Sequence, residues 1–207
     1  MKNFFLLTLT ILAIESCFAQ ESFMIGITAE GGYFFPKKTH EDIDDMKNGY
    51  SAGVGFWIMK QFFPSFSADA GLTYRHKTYQ QGMAGHFNPE HTEFHHETPH
   101  PLIRFNQNLL VIPLHIRFYP TKKIFLTTGI EHAFMVGLDT DLRKESEDNW
   151  LFGFGGQPGK LSWTLTYTQG FEDRGAVRIV DNEKVYTSGY TNRTIRLSLF
   201  YPIWQKK

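Results

Sequence analysis

Thiol chemistry is nearly absent from this sequence, because Cys17 is its only cysteine. If Cys17 leaves with the N-terminal segment, the rest of the chain has neither a disulfide nor a thiolate nucleophile. An excess of either charge is missing as well: 21 Lys+Arg stand against 21 Asp+Glu, which removes nucleic acid and other polyanions from the expected partners. The one long apolar run spans residues 4–14, about half of the roughly 20 residues that a spanning helix needs. Beyond it, no apolar spacing of helical period persists over a useful length.

That run follows Lys2 and precedes Phe18-Ala19-Gln20, the pattern of a secretory signal peptide over residues 1–19, cut after Ala19. Residues 20–207 then form a single domain. A second reading takes Ile14-Glu15-Ser16-Cys17 as a lipobox with Cys17 lipidated, although Glu15 is an odd residue to precede such a cut.

What the sequence has in quantity is alternation. In residues 107–138, Leu110, Ile112, Leu114, Ile116 and Phe118 share one face of a run whose other face carries His115, Arg117 and Tyr119. After the turn Pro120-Thr121-Lys122-Lys123, a second run sets Ile124, Leu126, Ile130, Phe134 and Val136 opposite Thr127 and Glu131, and His132 interrupts its apolar stripe. Period 2 makes this pair a β-hairpin. The same pattern predicts strands over residues 23–35, 49–59, 65–79, 150–156, 161–171 and 190–203. The three glycines of 150–156 blur that strand most.

The eight predicted strands are joined long, short, long, short, long, short, long. The long connections are residues 36–48, 80–106, 139–149 and 172–189. An eight-stranded antiparallel up-and-down transmembrane β-barrel places all its long loops at one end in this way, and a soluble sandwich has no reason to. Alternation alone does not separate such a barrel from a lipocalin-like one with an apolar interior. The polar face decides. It carries Glu30, Asp69, Arg75, Lys77, His115, Arg117, Glu131 and Arg196, and a basic residue at mid-bilayer on the lipid side costs about 2–4 kcal/mol. These residues are therefore expected in the lumen, with Arg117 and Glu131 paired or sharing one network. Aromatics near strand ends, among them Tyr33, Phe35, Phe62, Phe118, Tyr167 and Trp204, suit the two membrane interfaces.

The segment 109–137, with L-x-x-P-L-x-x-R-x-Y-P, a Lys-rich turn and F-L-T-T-G-I, resembles the PorT-like outer-membrane β-barrel proteins of Bacteroidota. Tyr167-Thr168-Gln169-Gly170-Phe171 and the closing N-R-T-I-R-L-S-L of residues 192–199 look like that group's last two strands. The resemblance covers essentially the whole mature chain and specifies no active site. It implies the bacterial outer membrane, outer-membrane lipid as surroundings, and an accessory role in protein secretion with a secretion-machinery partner. One departure is that the chain runs on past Trp204 through Gln205-Lys206-Lys207, where such chains commonly end on an aromatic.

Candidate chemistry is sparse. His96-Glu97-Thr98-Pro99-His100 matches H-E-x-x-H, yet Pro99 falls in the helical turn which that zinc site requires. Metal capture by the loop as a whole, through His91, His95, His96 and His100 with His86 nearby, is the weaker candidate. The set Glu30, Asp69, Arg75, Arg117, Glu131 and Arg196 reads as a salt-bridged plug, because an eight-stranded lumen is only wide enough for side chains to fill. His76 and His132 are the candidates for lipid-modifying chemistry at the outer interface. The expectation is a non-enzymatic outer-membrane barrel without a cofactor, whose long loops meet an extracellular or secretion-machinery partner.

Overall fold

Alternating apolar and polar residues commit the chain to extended strands, and the computed structural model closes them into a ring. It describes residues 22–38, 46–82, 102–136, 146–174, 177–180, 183–186 and 190–206. Segment 1–19, expected to be a signal peptide, lies outside them. Eight staves carry the fold: β1 (Ser22–Phe34), β2 (Met46–Phe63), β3 (Phe66–Gly82), β4 (Leu102–Thr121), β5 (Ile124–Met135), β6 (Ser146–Gly156), β7 (Ser162–Arg174) and β8 (Tyr190–Lys206). Each pairs antiparallel with the next, and β1 pairs with both β2 and β8, Ile27 opposing Phe56 on one side and Tyr201 on the other. Closure pairs each of the eight staves on both sides, as a barrel within hydrocarbon must.

Three connections are tight: Pro64-Ser65, Lys122-Lys123, and the turn before Ser162, where Gly159 takes φ +76°, a conformation disfavoured for other residues. Thr121 Oγ1 accepts the backbone N–H groups of Lys123 and Ile124 at 3.3 and 3.2 Å and fixes the second turn. The ends of β1 and β8 lie at this same end, Phe23 opposite Lys206. The strand ends that the four long connections join lie at the other.

Several staves outrun their expected bounds. β3 and β4 stay paired to Gly82 and Leu102, inside the connection expected over 80–106. β6 begins at Ser146, inside the loop expected to reach residue 149. Val177–Val180 and Glu183–Tyr186 form a separate small hairpin within the fourth connection, and Lys37–Lys38 pairs with Tyr190 and Thr191. Charge and polarity marked these stretches as loops, whereas backbone pairing carries the strands on into solvent. Between β3 and β4 the pairing skips from Ala70–Leu114 to Thr73–Val111, because Pro113 has no N–H to donate.

The barrel's polarity is the reverse of a lipocalin's. Val54, Phe56, Leu72, Leu114, Ile116, Leu126, Ile130, Phe152, Leu197 and Leu199 face outward and exposed, while Asp69, Arg75, Lys77, Arg117, Glu131 and Arg196 are buried within. That is the polarity of a barrel immersed in a bilayer. Rings border the apolar band at both ends. Towards the long connections, Tyr50, Tyr33, Phe35, Tyr167 and Trp150 touch in succession, with centroids 5.6–6.2 Å apart. Towards the turns, Phe23 meets Trp204 and Phe66 meets Phe118. Above Tyr74 and Leu110 the outward positions become His76, Thr78, Gln80, Asn108, Asn106 and Arg104, so this ladder projects roughly 20 Å beyond the band.

These boundaries give a direct test. Val54→Arg, at mid-band, should lower the unfolding free energy in phosphatidylcholine vesicles by about 2–4 kcal/mol. Asn106→Arg, above the band, should leave it within about 0.5 kcal/mol. Equal effects in urea titrations would mean that the band is misplaced.

Candidate functional site

Inward positions on eight converging strands bring distant residues together, and the lumen fills in three layers. At mid-height Arg75 on β3 donates from Nε to Glu30 Oε1 on β1 at 2.5 Å, and from Nη1 and Nη2 to Glu131 on β5 at 3.2 and 3.3 Å. Arg196 on β8 donates to Glu131 from Nη1 at 3.1 Å and again from Nη2, and its Nε lies 3.3 Å from Glu30 Oε2. Two carboxylates and two guanidinium groups thus form a neutral four-membered cluster that ties β5 to the opposite wall. Both oxygens of each carboxylate face an arginine. Gly53 makes room: a Cβ there would lie 2.8 Å from Glu30 Oε1 and 2.9 Å from the Tyr74 carbonyl.

Towards the turns, Asp69 accepts from Arg117 Nε at 2.6 Å and lies 2.9 Å from His115 Nδ1. The Arg117 guanidinium sits among Phe125, Phe200 and Trp57, 4.7–5.8 Å from their centroids. These rings, with Met24 and Met59, close the barrel at that end. Towards the long connections, Lys77 donates to Asn192 at 2.8 Å and lies 3.8 Å from Glu147, which accepts from Asn192 at 2.9 Å. Phe34, Tyr79, Tyr190 and Phe105 pack over this layer.

Among the described residues, four carboxylates (Glu30, Asp69, Glu131, Glu147) therefore meet four cations (Arg75, Lys77, Arg117, Arg196) inside the barrel. The gap left along Thr28, Glu30, Glu131 and Arg196 holds about 20 Å³. A single water needs roughly 10–15 Å³. Among the described residues, this gap between the charged layers thus has room for about one water and none for a substrate.

Arg117 and Glu131 both point inward but do not pair. Their ladder partners are Thr127 and Pro113, and the stagger along the strands hands Arg117 to Asp69 and Glu131 to the two other arginines. Glu147, Asn149 and Asn192 also line the lumen. Glu147 and Asn149 lie in a charged stretch that looks like a loop, and their signal is the period of 2 continued backwards from Leu151. The inward aromatics Trp57, Phe125 and Phe200 were missed because rings look apolar, and period alone does not show that cations stack on them.

His132 finds its partner outside the barrel. Its Nδ1 lies 2.5 Å from Asp148 Oδ1, the opposing residue on β6, with side chains 38% and 58% exposed, and its ring stands edge-on to Phe134 at 4.3 Å. His76 also faces outward, with Nδ1 2.9 Å from Asn108 Oδ1. The loop histidines His86, His91, His95, His96 and His100 lie outside the described residues; among those described, no cluster of His, Cys, Asp or Glu could hold a metal.

No protein-family model matches the chain, and no curated protein matches it by sequence. Among solved structures, Ail, the attachment invasion locus protein of Yersinia pestis, determined with the heparin analogue sucrose octasulfate, is similar to it over 89% of this chain and 100% of Ail. The TM-score is 0.40 and the identity 11%. At that overlap the likeness bears on no residue and no activity.

The plug and the surface pair differ in burial, and their energetics should differ accordingly. Glu131→Ala leaves two buried guanidinium groups short of a partner and should cost about 3–5 kcal/mol in vesicle unfolding. Asp148→Asn breaks a half-exposed pair and should cost no more than about 1 kcal/mol. The reverse ranking would show that the lumen cluster is not what braces the barrel.

Proposed function

We propose that this chain is a non-conducting, non-enzymatic barrel of the bacterial outer membrane, exported by its N-terminal segment 1–19, whose work is done at the outer ends of its strands. The observation that carries the reading is the lumen, filled among the described residues by neutralised charge, with a gap of about 20 Å³ beside the central cluster. A barrel so closed serves as an anchor rather than a pore. The paired extension of β3 and β4 to Gly82 and Leu102 adds a support for residues 83–101. Loops held on a rigid scaffold are where recognition concentrates. In this reading the partner is a protein met outside the membrane. An accessory role in secretion, suggested by the PorT-like resemblance, is the narrower form of the same idea.

Two measurements test it. Reconstituted protein should give no discrete conductance steps in planar bilayers; steady ohmic openings would reject the closed lumen. Replacing residues 84–100 by a short Gly/Ser linker should preserve membrane fractionation and heat-modifiable migration on denaturing gels, because the deletion stops short of Gly82 and Leu102. Crosslinking of intact cells should then lose partner adducts seen with the wild type. Recovery of the wild type as a soluble periplasmic protein would overturn the reading.

The His132–Asp148 pair favours a second reading, lipid modification at the outer interface, since a carboxylate on Nδ1 leaves Nε2 for proton transfer. Lipid A from cells with the wild type, with Asp148→Asn and without the gene should be compared by mass. Identical profiles would remove this reading.

A further inference from the structure

The outer wall carries one concavity that the plug does not explain. On β3 the outward residues below Leu72 are Ala70 and Ala68. They are flanked by Ile58 and Lys60 on β2 and by Leu114 and Ile116 on β4, with Ile130 and Thr128 next on β5. Two alanines between branched and long neighbours leave a trough of about 580 Å³, open to the outside and lined almost wholly by apolar atoms. That volume falls within the roughly 300–1,000 Å³ of ligand pockets.

Position decides the occupant. The trough lies in the half of the apolar band nearer the turns, since Lys60 stands three residues before the end of β2 and pairs with Phe23 near the start of β1. In a bilayer this depth holds hydrocarbon and no free water. A depression there is filled by a lipid chain or by a side chain of another protein. Lys60 selects between them. It is exposed at the trough's end, with Nζ 5.4 Å from the Phe62 ring, and a lysine so placed extends its ammonium towards the head-group layer. An ammonium at the mouth of an apolar slot complements a phosphate above an acyl chain.

We propose that the trough over Ala68 and Ala70 binds one anionic glycerophospholipid of the leaflet at the turn end, an acyl chain lying on the alanines and the phosphate resting on Lys60. This rests on the bilayer reading above and adds a specific lipid site to it.

Native mass spectrometry of the full chain, released from mixed micelles of dioleoylphosphatidylglycerol and dioleoylphosphatidylcholine, tests the site. The wild type should retain one phosphatidylglycerol. The Ala68→Leu/Ala70→Leu variant, which fills the slot from the lipid side, should retain roughly tenfold less. Lys60→Gln should keep one lipid but lose the preference for phosphatidylglycerol over phosphatidylcholine. Heat-modifiable migration of each variant reports folding independently of lipid. Unchanged retention in the filled variant, no retained lipid on a heat-modifiable wild type, or a dimer that the filled variant abolishes would each overturn the proposal while leaving the bilayer reading intact. A wild type that neither enters vesicles nor shifts on heating would overturn both.

Discussion

Everything in this molecule answers to one constraint: the main chain must satisfy its own hydrogen bonds within hydrocarbon, and eight strands closed for that purpose enclose a lumen that side chains fill. Any charge inside such a lumen must be met by another charge. The cluster of Glu30, Arg75, Glu131 and Arg196 meets that demand at mid-height, with no net charge and both walls tied together. Asp69 with Arg117 and Lys77 with Glu147 repeat the solution below and above it. The arginines also use their planar faces, as Arg117 does among Trp57, Phe125 and Phe200, so the cations are packed as well as paired.

A lumen filled by paired side chains leaves the surfaces as the proposed seat of function. The outer wall is apolar and bounded by rings, but it is not uniform. The trough at Ala68 and Ala70 and the His132–Asp148 pair are departures from a plain lipid-facing band. The first lies towards the turns and the second towards the long connections, where β3 and β4 continue past the aromatic border as a paired ladder with polar residues on its outer side. The strands thus anchor the barrel and also support what stands above it.

Much of this was legible in the residues. Alternation in Leu110–Phe118 and Ile124–Val136 named the faces, because a strand's side chains alternate whatever surrounds them. The order of long and short connections named the architecture, and the signs of Arg75, Arg117 and Arg196 named the inside. Strand ends were less legible: Glu147 and Asn149 look like loop residues until the ladder to β5 and β7 is seen. The loop histidines gave a motif whose place the described residues do not reach.

Sequence by itself determined which residues face in, which face out and how many staves there are, since these follow from local period and chain length. Only the tertiary structure decided who meets whom. Arg117 pairs with Asp69 rather than Glu131, Glu131 is shared by two arginines from separate strands, and His132 turns to Asp148. Partners across a lumen depend on the stagger of the closed barrel, a property of all eight strands together that no single strand's pattern carries.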